Sequence, residues 1–169
     1  MDVETAIRAR RTHKQYGDEP VDEAVVRELV DLARWAPNHK LTNPWRFRLL
    51  GPETRARIDE LVPEQEAAKL RRAPTLLLVS TMPSEDPVLA AEDVQATAAA
   101  AYAVLLAATA RGLASYWRTP GCFREPAVRE AVGLAPEEVV VSLVHLGPPA
   151  SAPPPKERAP VDEVFTVLP

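Results

Sequence analysis

Between Glu92 and Arg111 the chain carries its longest helical pattern, and alanine and leucine occupy nearly the whole circumference. A helix apolar on all sides has to be buried on all sides. In 169 residues there is little interior to enclose one, so the pattern requires either a central helix or a second subunit packed against it. The second is favoured. Glu92, Asp93 and Gln95 interrupt the run too early for a membrane span. Gly112 stands where a helix C′ residue is expected. A hydrophobic content of 46% suffices for one domain with a real core, expected over residues 1–169.

The other elements follow from periodicity and punctuation. Asp2 to about Arg11 reads as a helix with Asp2 as N-cap, and Asp22 to Trp35 as a second with Asp22 as N-cap. Trp45–Leu50 is expected as a strand. A helix from Pro52 to about Leu70 follows, with a break near Pro63. Thr75–Thr81 is a nearly continuous apolar run, hence a strand buried on both faces. Leu113–Arg118 and the β-branched Val139–Leu146 complete the strands of the main body, with a short helix over Pro126–Val132. Residues 150–169 open with three consecutive prolines that impose extended structure, then regain apolar character in V-F-T-V-L. This stretch is expected as an extended C-terminal arm that reaches a partner subunit, with a strand over Val161–Leu168.

Composition excludes several classes of function. A net charge of −4 gives no reason to expect nucleic acid or an anionic membrane as partner. One cysteine cannot form an intrachain disulfide, and the N-terminus lacks the apolar core of a signal peptide, so a cytoplasmic location is the expectation. With 18 prolines but 6 glycines there is no G-x-G-x-x-G and no Walker loop. Any phosphate must then be held by side chains or helix ends. His13, His39 and His145 show no metal-ligand spacing, and no nucleophile elbow is present. Cys122 has no evident base beside it, and His145, inside a strand, reads as a core histidine.

Three stretches carry candidate chemistry. The connection Trp35–Phe47, W-A-P-N-H-K-L-T-N-P-W-R-F, is stiffened by Pro37 and Pro44 and rich in donors. It suits either a flat, hydrogen-bonding ligand or a surface loop pinned by its tryptophans. Arg10, Arg11 and Lys14 surround Thr12 at the end of the first helix. The helix dipole accounts for some of that charge, and a phosphate or an electron-rich heterocycle for the hydroxyl among cations as well. Y-W-R-T-P-G closes the third strand with an indole, a cation and a hydroxyl, at the kind of place where ligands dock.

In this order the motifs R-R-T-x-K, W-A-P-N-H-x-x-x-N-P-W-R-F, G-L-A-S-Y-W-R-T, V-R-E-A-V-G-L and P-K-E-R-A-P-V-D-E resemble the nitroreductase family of FMN-dependent, NAD(P)H-using oxidoreductases, over nearly the whole chain. The likeness is to its compact bacterial branch. It implies an α+β, three-layer α/β/α fold with a mixed, mostly antiparallel sheet, in an intertwined homodimer with FMN at the subunit interface. Arg10, Arg11, Thr12 and Lys14 match the first flavin-contacting segment, and Asn38 and His39 match positions offered across the interface. Trp117, Arg118 and Thr119 match a segment lying along the flavin. Lys156 and Arg158 match a pair that binds the FMN phosphate, a role for which Arg118 competes. Leu41 stands where the common loop form has a polar group, which leaves the pyrimidine edge to Lys14 or His39. The implied reaction passes a hydride from NAD(P)H through flavin to a small acceptor such as a nitroaromatic or quinone, in ping-pong fashion. A flavin-fragmenting protein and a non-catalytic flavin binder on the same fold are the alternatives.

Overall fold

Alternation along the strands decides the layers. In the strand Thr75–Thr81, Leu76 and Leu78 turn to one side and Leu77 and Val79 to the other, and all four are buried. A strand with two apolar faces needs cover on both. The computed structural model, which describes all residues Met1–Pro169, supplies that cover with helices. The elements in chain order are α1 (Val3–Ala9), α2 (Glu23–Ala33), β1 (Trp45–Leu49), α3 (Pro52–Leu61), α4 (Glu64–Leu70), β2 (Thr75–Thr81), α5 (Pro87–Ala110), β3 (Ala114–Arg118), α6 (Pro126–Ala131) and β4 (Val139–Gly147). Short 3₁₀ turns lie at His39–Leu41, Gly121–Arg124 and Val161–Glu163.

The strands form one sheet in the order β1-β2-β4-β3. Every neighbouring pair is antiparallel, with a register shift between Val79 and Ser80, so within one chain the sheet is not mixed. On one face α5 lies across β3 and β4, and α1 and α2 pack against α5. Its core joins Leu29, Ala33, Ala100, Ala101, Val104 and Leu105 to Leu77 and Val144. On the other face Ile58, Leu70, Phe123, Val128 and Val132, from the α3, α4 and α6 region, cover Leu76, Leu78 and Leu143. This is the expected three-layer α+β arrangement.

α5 is longer than its periodicity suggests. It starts at Pro87, because the Asp86 carboxylate accepts hydrogen bonds from the Val88 and Leu89 amides at 2.8 and 3.2 Å. It stops where Gly112 adopts φ +74° and the Leu113 amide reaches back to the Ala108 carbonyl at 2.9 Å. The helix has the length and apolarity of a membrane span, yet its apolar residues are the centre of the core. Val88, Val94 and Tyr102 remain exposed on its outer side.

The tail departs from expectation. Val161–Leu168 is not a strand in the single chain: it makes one 3₁₀ turn and stays exposed. No strand edge of its own chain lies beside it, and a strand without a partner leaves its ladder bonds unmade.

Among the buried polar groups Glu138 is fully tied in, whereas Thr97 Oγ1, Ser142 Oγ and both ring nitrogens of His145 have no partner. Glu138, only 3% exposed, accepts from Arg48 Nη2 at 2.9 Å and from the Ala135 amide at 3.2 Å, and also from the Ser80 hydroxyl. The largest of these unpartnered groups is His145 on β4. It is 1% exposed, and neither ring nitrogen has a hydrogen-bond partner. It sits between the rings of Tyr116 and Tyr16, at centroid distances of 5.7 and 6.5 Å. Burial, and then the nearby cations Arg118, Arg55 and Arg72, push its pKa down from 6.5 to about 3. Between those values the unfolded chain holds a proton here that the folded chain refuses, so stability falls as pH drops below about 6.5. The slope from this one group is at most about 1.4 kcal/mol per pH unit. His145→Leu should flatten that dependence in urea unfolding between pH 4 and 7. At pH 7 it should be neutral or stabilising, since two unpaired nitrogens are removed. An unchanged pH slope would show that other groups set the acid sensitivity.

Candidate functional site

The basic segment after α1 is laid along the edge of the sheet by backbone bonds. The His13 amide donates to the Ser115 carbonyl on β3 at 3.0 Å, the Gly17 amide to the Pro148 carbonyl at 2.9 Å, and Tyr16 bridges to Pro149. The Tyr16 hydroxyl donates to the His13 carbonyl at 2.8 Å. In such an extended run side chains alternate. His13 turns inward and is half-buried, so Thr12 and Lys14 on either side of it turn out to solvent. Arg10 ends α1, and its guanidinium carbon lies 5.8 Å from the centre of the Tyr102 ring on α5. Arg11 donates from Nη1 to the carbonyls of Arg8 and Arg10, closing the helix terminus.

The C-terminal arm returns to this segment. The Ser151 hydroxyl donates to Gln15 Oε1 at 3.0 Å, and the prolines then carry the chain past the basic segment. Pro153, Pro154, Lys156 and Arg158 thereby join Arg10, Arg11, Thr12, Lys14 and Tyr116 around a cleft of about 430 Å³. That volume lies in the small-molecule range. None of Arg8, Arg10, Arg11, Lys14, Lys156 and Arg158 takes part in any ion pair of the molecule, although the chain carries a net charge of −4. Arg10 Nε is also buried without a hydrogen-bond partner. Cations gathered without internal acids, next to a hydroxyl and an aromatic wall, match the requirements of a phosphate-bearing, flat ligand. The residues present therefore fit FMN.

The remaining sequence candidates lie elsewhere in the single chain. His39 Nδ1 is 3.0 Å from Glu92 Oε2 near the start of α5. Arg10 meets the same helix at Tyr102, ten residues on and so roughly 15 Å further along it. Asn38 is spent inside its own loop, where Oδ1 accepts from the Asn43 amide at 3.0 Å. Strand alternation separates Trp117 from Arg118: Trp117 packs on the α5 side of the sheet, and Arg118 turns to the other face. There Arg118 Nη2 bonds Glu66 of α4 at 2.9 Å, while its Nη1 is buried and unpartnered. Thr119 lines a different cleft with Pro120, Arg124 and Glu138. Tyr116, which does line the basic cleft, went unnoticed in the sequence, although period-two alternation from Arg118 pointed to it.

The loop Trp35–Phe47 is held by one carboxylate. Asp93, 2% exposed, accepts from Thr42 Oγ1 at 2.7 Å, from Ser84 Oγ at 2.6 Å and from the Ser84 amide at 2.9 Å. Burial alone would raise its pKa, but the bonds from Ser84 and Thr42 outweigh burial and leave it below the usual carboxylate value. Lys40, Leu41 and Asn43 all have positive φ, at 51°, 54° and 47°. Left-handed backbone at three non-glycine positions persists only where surrounding bonds impose it. Of the two tryptophans only Trp45 is buried; Trp35 is exposed and lies against the Arg34 guanidinium.

Comparison with known proteins agrees with the fold. The model of the nitroreductase family matches residues 7–69 and 64–148. YfhC of Bacillus subtilis (strain 168), which bears the name of an NAD(P)H nitroreductase, is 30% identical over 178 residues, covering 96% of this chain and 92% of its own. A nitroreductase-like family protein of Bacillus cereus superposes with a TM-score of 0.88 at 27% identity, over 99% of this chain and 96% of that one. A protein of Desulfovibrio desulfuricans, crystallised in complex with FMN and named for a nitroreductase, has a TM-score of 0.80 at 27% identity over the same shares. The chain belongs to the nitroreductase family.

Asp93→Ala would leave three donors near a buried site without their acceptor, so it should cost at least about 2 kcal/mol. Hydrogen exchange should quicken over residues 38–43 before the rest of the chain. Asp93→Asn keeps the shape and loses the charge, so it should fall between the two. Slow exchange in the loop of the Ala variant would mean that the loop holds its conformation without this anchor.

Proposed function

We propose that this protein is an FMN-dependent oxidoreductase that uses NAD(P)H to reduce a small acceptor such as a nitroaromatic or a quinone. The observation that carries the reading is the cleft of unpaired cations around Thr12 and Tyr116, in a chain of this family. When bound, FMN would supply the hydride chemistry itself, accepting from NAD(P)H and delivering to the acceptor in alternate turns. The work of the chain is then binding and electrostatics. Arg10, Lys156 and Arg158 hold the phosphate by charge-assisted bonds. Arg118 is left out of that role, because Glu66 already neutralises it. Thr12 offers a hydroxyl, and Tyr116 an aromatic wall. Lys14 sets a positive charge where the pyrimidine edge is expected to lie, which favours the reduced cofactor. Trp117 and Thr119 would complete the site through the strand end, and Asn38 and His39 from a second subunit.

We further propose a homodimer. Val161, Val164, Phe165, Val167 and Leu168 are all more than 60% exposed, an apolar arm with nothing to cover it in one chain. β1 is an edge strand with one free side, bordered by a groove of about 560 Å³ that includes Val26, Val30, Phe47 and Leu77. The arm of one protomer against that edge of its partner would settle both. Removal of residues 159–169, which spares Lys156 and Arg158, should turn a dimer in sedimentation at micromolar concentration into a monomer. A dimer of unchanged stability would assign the interface to other surfaces.

Protein purified with FMN should show a flavin visible spectrum and should oxidise NAD(P)H steadily with a quinone or nitroarene. A flavin store or a flavin-fragmenting protein would give no such turnover. For the cleft itself, Lys156→Ala with Arg158→Ala should weaken FMN at least about a hundredfold, at about 1.5–3 kcal/mol per charge-assisted contact. Riboflavin, without a phosphate, should bind nearly as before. Equal losses for both ligands would move the phosphate away from this pair.

A further inference from the structure

The cations at this site outnumber what one phosphate needs, and they form a wall with two sides. Arg10, Arg11, Lys156 and Arg158 line the cleft of Thr12, Lys14 and Tyr116, and the same four residues line an adjoining cleft of about 590 Å³. There they meet Glu4, Ile7 and Arg8 of α1. Arg8 is exposed, and its side chain bonds to nothing. Even Glu4, at the i−4 position where a helical ion pair would form, is not paired with it. The dipole of α1 accounts for one cation in its last turn, but not for two more brought there by the C-terminal arm. A phosphomonoester carries close to two charges at neutral pH. Two or three cations satisfy it, and five surround this second cleft, so the shared wall has charge for a second phosphate. Ile7, 47% exposed, adds an apolar surface beside it on which a heterocyclic base can rest.

We infer that the second cleft binds the adenosine 2′-phosphate of NADPH, with Arg8 and Arg11 as its cations, and that the enzyme therefore prefers NADPH to NADH. This rests on the first cleft being the flavin site. The two nicotinamide cofactors differ only in that phosphate, so a cation cluster outside the flavin site is the means by which the protein can tell them apart. Arg8 is the cation that belongs to the second cleft alone. Glu4 is the one carboxylate in it and opposes an anion there.

The test uses the FMN-loaded protein and calorimetric titration with NADP⁺, NAD⁺, 2′,5′-ADP and 5′-AMP, together with kcat/KM for NADPH and NADH. NADP⁺ and 2′,5′-ADP should bind about tenfold or more tightly than their partners without the 2′-phosphate. Arg8→Ala should remove most of that difference and leave FMN affinity as it was. Arg8→Lys should keep part of it, and Glu4→Gln should enlarge it. Equal affinities for NADP⁺ and NAD⁺ in a protein that holds FMN would overturn the inference and leave the flavin reading standing. Loss of FMN rather than of NADP⁺ in Arg8→Ala would overturn it too, by giving Arg8 to the flavin phosphate. Failure to bind FMN at all would bring down both.

Discussion

The burial of α5 is the constraint on which the rest of the structure depends. A helix with so little polar surface has to lie against the sheet, and β3 and β4 give it the flat apolar face it needs. Once seated, it becomes the frame for two separate parts of the chain. Near its start Asp93 gathers Thr42 and Ser84, and so holds the donor-rich loop in a strained backbone conformation. Nine residues further on Tyr102 meets Arg10. The spacing between loop and basic segment is therefore set by helix rise and not by either segment itself.

The second theme is charge held without compensation. Like charges repel within a screening length of about 8 Å, so a cluster of arginines and lysines without acids costs stability unless something else fixes the backbone. Here that is done by neutral bonds: His13 to Ser115, Gly17 to Pro148, and Ser151 to Gln15. Arg118 shows the opposite arrangement, a cation whose partner Glu66 is built into the fold. The contrast separates a structural arginine from cations left available to a ligand, and it does so by geometry where residue type alone cannot.

The sheet has two unequal edges. β3 is met at Ser115 by the segment after α1, which lines the basic cleft. β1 has no such cover, and the apolar arm of the same chain is left in solvent. An open edge and an uncovered apolar segment are each unfavourable alone, and in one molecule they call for the same remedy.

Much of this was legible from residues 1–169 in order. The caps at Asp2, Asp22 and Gly112, the break at Pro63, and the buried run of β2 follow from local rules, because they depend on neighbours in the chain. So did the basic segment at Arg10–Lys14 and the loop at Trp35–Phe47. The extension of α5 back to Pro87 was also present, as Asp86-Pro87, but the charge that followed obscured it. Four things needed the tertiary structure. Arg118 and Trp117 are adjacent in sequence yet face opposite sides of a sheet, and only the packing says which side holds the cleft. Lys156 and Arg158 lie next to Arg10 because the arm doubles back, a contact across nearly the whole chain. Asp93, which reads in sequence as a flaw in an apolar helix, is the anchor of a loop fifty residues away. Val161–Leu168 has the composition of a strand but no strand partner in its own chain, and pairing, unlike propensity, is not a local property.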